Sequence, residues 1–212
     1  MDYVVTNVGL NTEYGKASAT KPATLYRGDM DGTGRPHLVE TKSGLEGILP
    51  IQGRSCSPTA MPFLERRFPT FRALASADLL DIYTPGKLQA AQRFDANNFE
   101  SGLLLNESTP AGVQFKWQPL PFLAQASPGY GIAAADLDGD SHCDVSSVGN
   151  NDTRQPETSL WRDTPDFLLR GNGTGALQFE SHRRSVLVAP NDTKGLSLAD
   201  VNQDGGPDPV AI

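Results

Sequence analysis

Nine residues, Asp136-Leu137-Asp138-Gly139-Asp140-Ser141-His142-Cys143-Asp144, put carboxylates at positions 1, 3, 5 and 9 of one turn. The pattern returns 64 residues later with Asp200, Asn202, Asp204 and Asp208. Oxygen-bearing side chains gathered so closely repel one another unless a cation sits among them. Calcium suits such a corner, being a hard ion that takes about six to eight oxygen ligands at roughly 2.3 to 2.6 Å and tolerates irregular geometry. Magnesium holds a stricter octahedron and keeps its waters. The expected donors are Asp136, Asp138, Asp140 and Asp144 with the backbone carbonyl of His142 at position 7. In the second loop they are Asp200, Asn202, Asp204 and Asp208 with the carbonyl of Gly206.

The flanking residues decide which elements hold these turns. An EF-hand needs a bidentate Glu at position 12 and a helix on each side; here position 12 is Ser147 or Ala211. The entering segments, residues 131–135 and 195–199, are short, apolar and led by glycine, and the exits run Val145-Ser146-Ser147-Val148 and Pro209-Val210-Ala211-Ile212. Such runs predict strands, so each loop joins two strands.

The offset extends beyond the loops. Leu104-Leu105 matches Leu168-Leu169, Val113-Gln114-Phe115 matches Leu177-Gln178-Phe179, and Gly131 matches Gly195. Residues 101–164 and 165–212 therefore read as successive repeats. A unit of this length cannot bury its apolar face alone and must stack on its neighbours. Four short strands per unit predict an all-β fold built as a propeller of face-packed blades.

With Tyr130-Gly131 and Lys194-Gly195 ahead of the Asp loops, the loops themselves and the Leu-Leu…Phe hairpins, the chain resembles the FG-GAP/VCBS repeats of integrin alpha-chain-like β-propellers, common in secreted bacterial proteins. The resemblance implies calcium held by a loop between the first two strands of a blade. It also implies a scaffold that presents loops to protein or glycan partners. The chain departs from the pattern at Gln203, where a glycine is usual, at Asn202, where an aspartate is usual, and at His142-Cys143.

A third acidic turn, Asp29-Met30-Asp31-Gly32-Thr33-Gly34-Arg35-Pro36-His37, lacks the carboxylate at position 9. Asp29, Asp31 and Thr33 form only a weak third metal candidate. Leu25-Tyr26-Arg27-Gly28 matches Leu168-Leu169-Arg170-Gly171, which reads the turn as the hairpin between the last two strands of a blade. Asp2 followed by Tyr3-Val4-Val5 looks like position 9 of another loop and the strand after it. The chain thus reads as a single segment of about three blades, residues 1–212, cut through blades at both ends.

Residues 43–98 interrupt the rhythm and read as a partly helical insertion. Helix is expected over about 69–82, with Phe71, Leu74, Leu79 and Ile82 on one face, and over about 85–94, with Thr84 as N-cap and Pro85 at the first position. Residues 54–58 read as loop.

Composition bounds the remaining choices. The net charge is -7, seven aspartates lie in the two strong loops, and no basic stripe exists to neutralise phosphates, which argues against nucleic acid. No stretch reaches the roughly 18 apolar residues of a membrane span. Extracellular calcium modules bind at about 0.1 to 1 mM, so an extracellular, cell-surface or periplasmic setting is expected, although no export signal is present in this chain. Cys56 and Cys143 are too few for a disulfide framework and are expected as free thiols. Sequons at Asn106, Asn151, Asn172 and Asn191 double as turn residues. His37, His142 and His182 lack metal spacing, Cys56 lacks a histidine partner, and no nucleophile or nucleotide fingerprint appears, so no catalysis is expected. The competing expectations are a polysaccharide-active secreted enzyme of which these repeats are a part, and an architectural subunit whose blades are completed by further copies.

Overall fold

Short runs separated by Gly, Asp and Pro make strands too brief to stand alone, and most of them pair with a neighbour in sequence. In chain order they are β1 (Tyr3–Val5), β2 (Ala23–Gly28), β3 (His37–Ser43), β4 (Ile48–Pro50), β5 (Gln92–Ala96), β6 (Gly102–Asn106), β7 (Phe115–Pro119), β8 (Gly131–Ala135), β9 (Asp144–Val148), β10 (Phe167–Gly171), β11 (Leu177–Glu180), β12 (Leu196–Ala199) and β13 (Asp208–Ala211). The computed structural model describes residues 1–44, 47–149, 166–185, 187, 189 and 193–212. The chain divides into two units: residues 1–12 with 99–212, and residues 13–98.

The first unit contains three antiparallel sheets, ordered β1-β6-β7, β11-β10-β9-β8 and β12-β13. The middle one is a four-stranded meander whose first two strands are joined by the Asp136 loop, and β12 and β13 are joined likewise by the Asp200 loop. Leu103 of β6 packs with Val145 of β9 and with Phe167 and Leu169 of β10, so the first two sheets stack face to face. Burying each such side chain contributes about 1.5 to 3 kcal/mol. On the other side β8 lies against β12: a Cβ on Gly131 would come within 2.7 Å of Leu196 N, so the absence of a side chain permits the approach. Lys194 Nζ stands 4.5 Å from the centre of the Tyr130 ring, joining the two residues that precede these glycines.

The aspartates at loop position 9 align the sheets with one another. Leu137 N donates to Asp144 Oδ2 (3.1 Å) and Val201 N to Asp208 Oδ2 (3.0 Å); Gly171 N donates to Asp144 Oδ1 (2.9 Å) and Asn106 N to Asp2 Oδ1 (2.7 Å). Asp2, Asp144 and Asp208 are thus one position in three sheets, and β1 corresponds to β9. The same contacts set Asn106 opposite Gly171 and hence Leu104 opposite Leu169. The hairpin registers set Trp117 opposite Phe179 and Phe115 opposite Leu177. The 64-residue offset holds for the Asp loops but moves to 65 and 62 in the last two strands. The pairing expected for Leu104-Leu105 and for Val113-Gln114-Phe115 is corrected accordingly, because turn length rather than identity sets register.

The second unit contains the sheet β4-β3-β2-β5 and five short helices, α1 (Ser57–Ala60), α2 (Phe63–Arg67), α3 (Phe71–Ala75), α4 (Leu79–Ile82) and α5 (Pro85–Ala90). Leu64, Leu74, Leu79 and Ile82 bury themselves with Tyr26, Met30 and Val39 of the sheet side. Five expectations change here. The helix anticipated over 69–82 is two helices, because Asp78 caps α4 with a reciprocal capping box and forces a new start; Thr70 caps α3. Phe71 leaves the buried stripe and is 65 % exposed, with the Arg54 guanidinium 5.4 Å from its ring. The second helix ends at Ala90, and residues 92–96 form β5, an exposed polar strand whose membership comes only from pairing with β2. Thr84 precedes α5 without a side-chain capping bond. Ser57 and Pro58, expected in a loop, open α1.

Candidate metal centre

Backbone conformation and inward N–H groups shape the Asp loops. Positions 4 and 6 take left-handed φ in both: Gly139 (80°) and Ser141 (71°), then Gln203 (62°) and Gly205 (88°). This curls successive N–H groups inward on the first carboxylate. Asp136 Oδ1 accepts from Gly139 N (2.8 Å) and Asp140 N (3.1 Å), and Oδ2 accepts from Ser141 N (2.8 Å). These donors, Ser141 N–H foremost, hold its pKa below the ordinary carboxylate range. Asp200 is cradled in the same way by Asp204 N and Gly205 N.

Asp136, Asp138 and Asp144 offer carboxylate oxygens within 4.8 Å of one another, the one such His, Cys, Asp or Glu group among the described residues. Asp144 is fully buried. Asp140 does not join this group; its Oδ1 accepts from His142 N (2.8 Å), which closes the turn on itself. The His142 imidazole lies against Gly173 in the β10–β11 hairpin. In the second loop Asp200, Asp204 and Asp208 do not meet the same closeness. There Asn202 Nδ2 donates to Asp204 Oδ2 (2.9 Å) and Gly206 N to Asp204 Oδ1 (2.8 Å).

A residue absent from the expected ligand set shares the first corner. Arg170 Nη1 donates to Asp144 Oδ2 at 2.7 Å and stands 3.3 Å from Asp138 Oδ2. Three carboxylates and one guanidinium leave two negative charges uncompensated. An all-oxygen donor set with that charge fits a hard divalent ion such as calcium, which Asp136, Asp138 and Asp144 would hold, with Asp200, Asn202, Asp204 and Asp208 as the counterpart donors. Arg170 reaches the loop only through the β9–β10 pairing, so spacing in the sequence carries no sign of it.

The third turn connects β2 and β3 in the second unit, between neighbouring strands as a hairpin does. Its backbone nonetheless follows the Asp loops, with Gly32 at φ 84° and Gly34 at 81° and with Asp29 accepting from Gly32 N, Thr33 N and Gly34 N. Its oxygens are occupied differently. Thr33 Oγ1 donates to Asp31 Oδ1 (2.7 Å), and this bond, first among several, lowers the Asp31 pKa to about 2. His37 Nε2 stands 3.2 Å from Asp31 Oδ2, so an imidazole, which carries positive charge when protonated, occupies position 9. Thr174 N and Oγ1 make the same two bonds to Asn172 Oδ1, as the likeness between the two hairpins leads one to expect.

Both cysteines are free thiols. Asn106 ends β6 and Asn172 opens the β10–β11 turn, whereas Asn151 and Asn191 lie outside the described residues. No protein-family model, curated protein or solved structure matches this chain.

Proposed function

We propose that the first unit is a run of blades from a calcium-pinned β-propeller of FG-GAP/VCBS type, acting outside the cytosol as a scaffold for protein or glycan binding and adhesion. The observation that carries this reading is the repeated corner. In three sheets an aspartate at the start of a strand accepts from backbone N–H groups: Asn106 N on Asp2, Val201 N on Asp208, and the counterparts of both, Gly171 N and Leu137 N, on Asp144, which in the fullest sheet converges with two loop carboxylates. Stacking of the β8–β11 sheet between its two neighbours supports the blade arrangement. Calcium here is structural: its binding free energy adds to folding free energy, because the unfolded chain cannot gather the same oxygens. At a hundredfold excess over Kd that contribution is about 2.7 kcal/mol.

The test is thermal unfolding in chelator and then in millimolar calcium. Calcium raises the melting temperature of the wild type and of Asp29→Ala alike, and Asp138→Ala loses most of the gain. Equal gains in Asp138→Ala and wild type contradict the assignment of the ion to this loop. Magnesium at the same concentration gives a smaller rise.

A further inference from the structure

The second unit holds a pocket of its own, formed by β4, the segment that follows it and α3. Its volume of about 290 Å³ lies at the small end of the roughly 300 to 1,000 Å³ typical of ligand sites. Leu49, Pro50 and Leu74 supply apolar lining, and Lys42 and Arg54 bring two cations to it. Lys42 sits directly across from Leu49 in the β3–β4 ladder and is half-buried, and no carboxylate among the described residues stands within ion-pair distance of it. Arg54 keeps only 17 % of its side-chain surface in water; its Nε donates to Phe68 O (2.9 Å), and its Nη2 stands 3.7 Å from Glu65 Oε1, a carboxylate that is itself 67 % exposed. A buried charge calls for a close counter-charge, and the one given to Arg54 is distant and wet. The exposed Phe71 ring, beside the Arg54 guanidinium, lines the same pocket.

We propose that this pocket binds a small organic carboxylate with an apolar body, an aromatic acid above all. The Arg54 Nη groups form a planar fork suited to a carboxylate, and Lys42 adds a second positive charge to the same anion. Leu49, Leu74 and the Phe71 ring take the hydrocarbon part. Both halves of the ligand are needed: a bare carboxylate leaves the apolar lining wet, and a neutral hydrocarbon covers two cations without compensating them. Residues 13–98 carry eleven Lys and Arg against nine Asp and Glu, in a chain whose net charge is -7, so this unit attracts an anion although the chain as a whole does not. The site lies wholly within the second unit and uses no metal donor, so its failure leaves the calcium assignment untouched.

The experiment titrates the full chain with millimolar phenylacetate, in buffer free of other carboxylates, and follows backbone amide shifts by NMR. Phenylacetate gives a saturable shift at Leu49, Gly53 and Leu74. Phenylacetamide, of the same shape without the charge, and acetate, with the charge but no ring, each bind about tenfold more weakly. Lys42→Gln and Phe71→Ala each weaken phenylacetate roughly fivefold while the melting temperature holds, because both side chains stand partly in water. Arg54→Gln loses binding; because Arg54 Nε also secures Phe68 O, the other two variants decide the matter if this one unfolds. Phenylacetamide or acetate binding as tightly as phenylacetate, indifference to Lys42→Gln or to Phe71→Ala, undiminished binding by a folded Arg54→Gln, or no saturable shift overturns the proposal.

Discussion

Asp144→Asn separates a framework carboxylate from a mere loop acid. In the wild type, Asp144 is fully buried and accepts three bonds: from Leu137 N, Gly171 N and Arg170 Nη1 at 3.1, 2.9 and 2.7 Å. The amide keeps the shape but has one acceptor oxygen, so its NH2 must face either Gly171 N–H or the donors on the other side, and the guanidinium loses its buried anion. Removing one partner of a buried pair costs about 3 to 5 kcal/mol. Arg170 keeps 27 % of its side-chain surface in water, which places the cost near the lower end, about 3 kcal/mol. For a chain of this size that is a fall of roughly 6 to 12 °C in melting temperature. Asp208, partly exposed and accepting from Val201 N, is the internal control: Asp208→Asn gives up about 0.5 to 1.5 kcal/mol. Urea unfolding followed by circular dichroism, in chelator so that no metal contributes, reads both. Equal costs for the two variants, or a cost below about 1 kcal/mol for Asp144→Asn, refutes the reasoning that burial and the Arg170 contact set the difference.

Gln203 holds φ 62° at a position where Gly32 and Gly139 stand in the other two turns. Left-handed backbone costs a non-glycine residue about 1 to 2 kcal/mol, and glycine returns roughly 0.5 to 1 of that as unfolded-state entropy. Gln203→Gly therefore stabilises by up to about 1 kcal/mol in urea unfolding, and a destabilised variant contradicts the strain argument. At the third turn, the folded Asp31 pKa of about 2 lies below its ordinary 3.8, so its contribution to stability is present above about pH 4 and is lost as pH falls toward 2. Carbon-detected NMR titration of Thr33→Ala moves the Asp31 midpoint upward, since the Thr33 hydroxyl bond is the largest cause of the depression; an unmoved midpoint assigns the effect elsewhere.

Local chemistry was readable where the interaction itself is local. The Asp136 and Asp200 loops, the strands on either side of them and the start of a further sheet at Asp2 follow from residue types within nine positions, and so does the helical character of the stretch before Ile82. What escaped depends on partners distant in the chain. Arg170 joins the corner because β10 pairs with β9, and β5 is a strand because β2 presents an edge to Gln92–Ala96. Asp140 is placed among the donors by its spacing; in the structure its Oδ1 accepts from His142 N and it lies outside the close group of Asp136, Asp138 and Asp144. The register of the last two strands slipped from the expected offset for a similar reason. The β6–β7 turn spans residues 107–114 and the β10–β11 turn spans residues 172–176, and repeat matching by identity does not see that difference. Phe71 left the core because two capped helices replaced one, rotating the apolar stripe between them.

Crystals grown in calcium, with anomalous difference density computed around Asp136, Asp138 and Asp144, test the calcium corner most directly. A peak with carboxylate oxygens at about 2.3 to 2.6 Å, and Arg170 withdrawn from Asp138, is the predicted result. A water at that point, with the Arg170–Asp138 contact intact in saturating calcium, contradicts it.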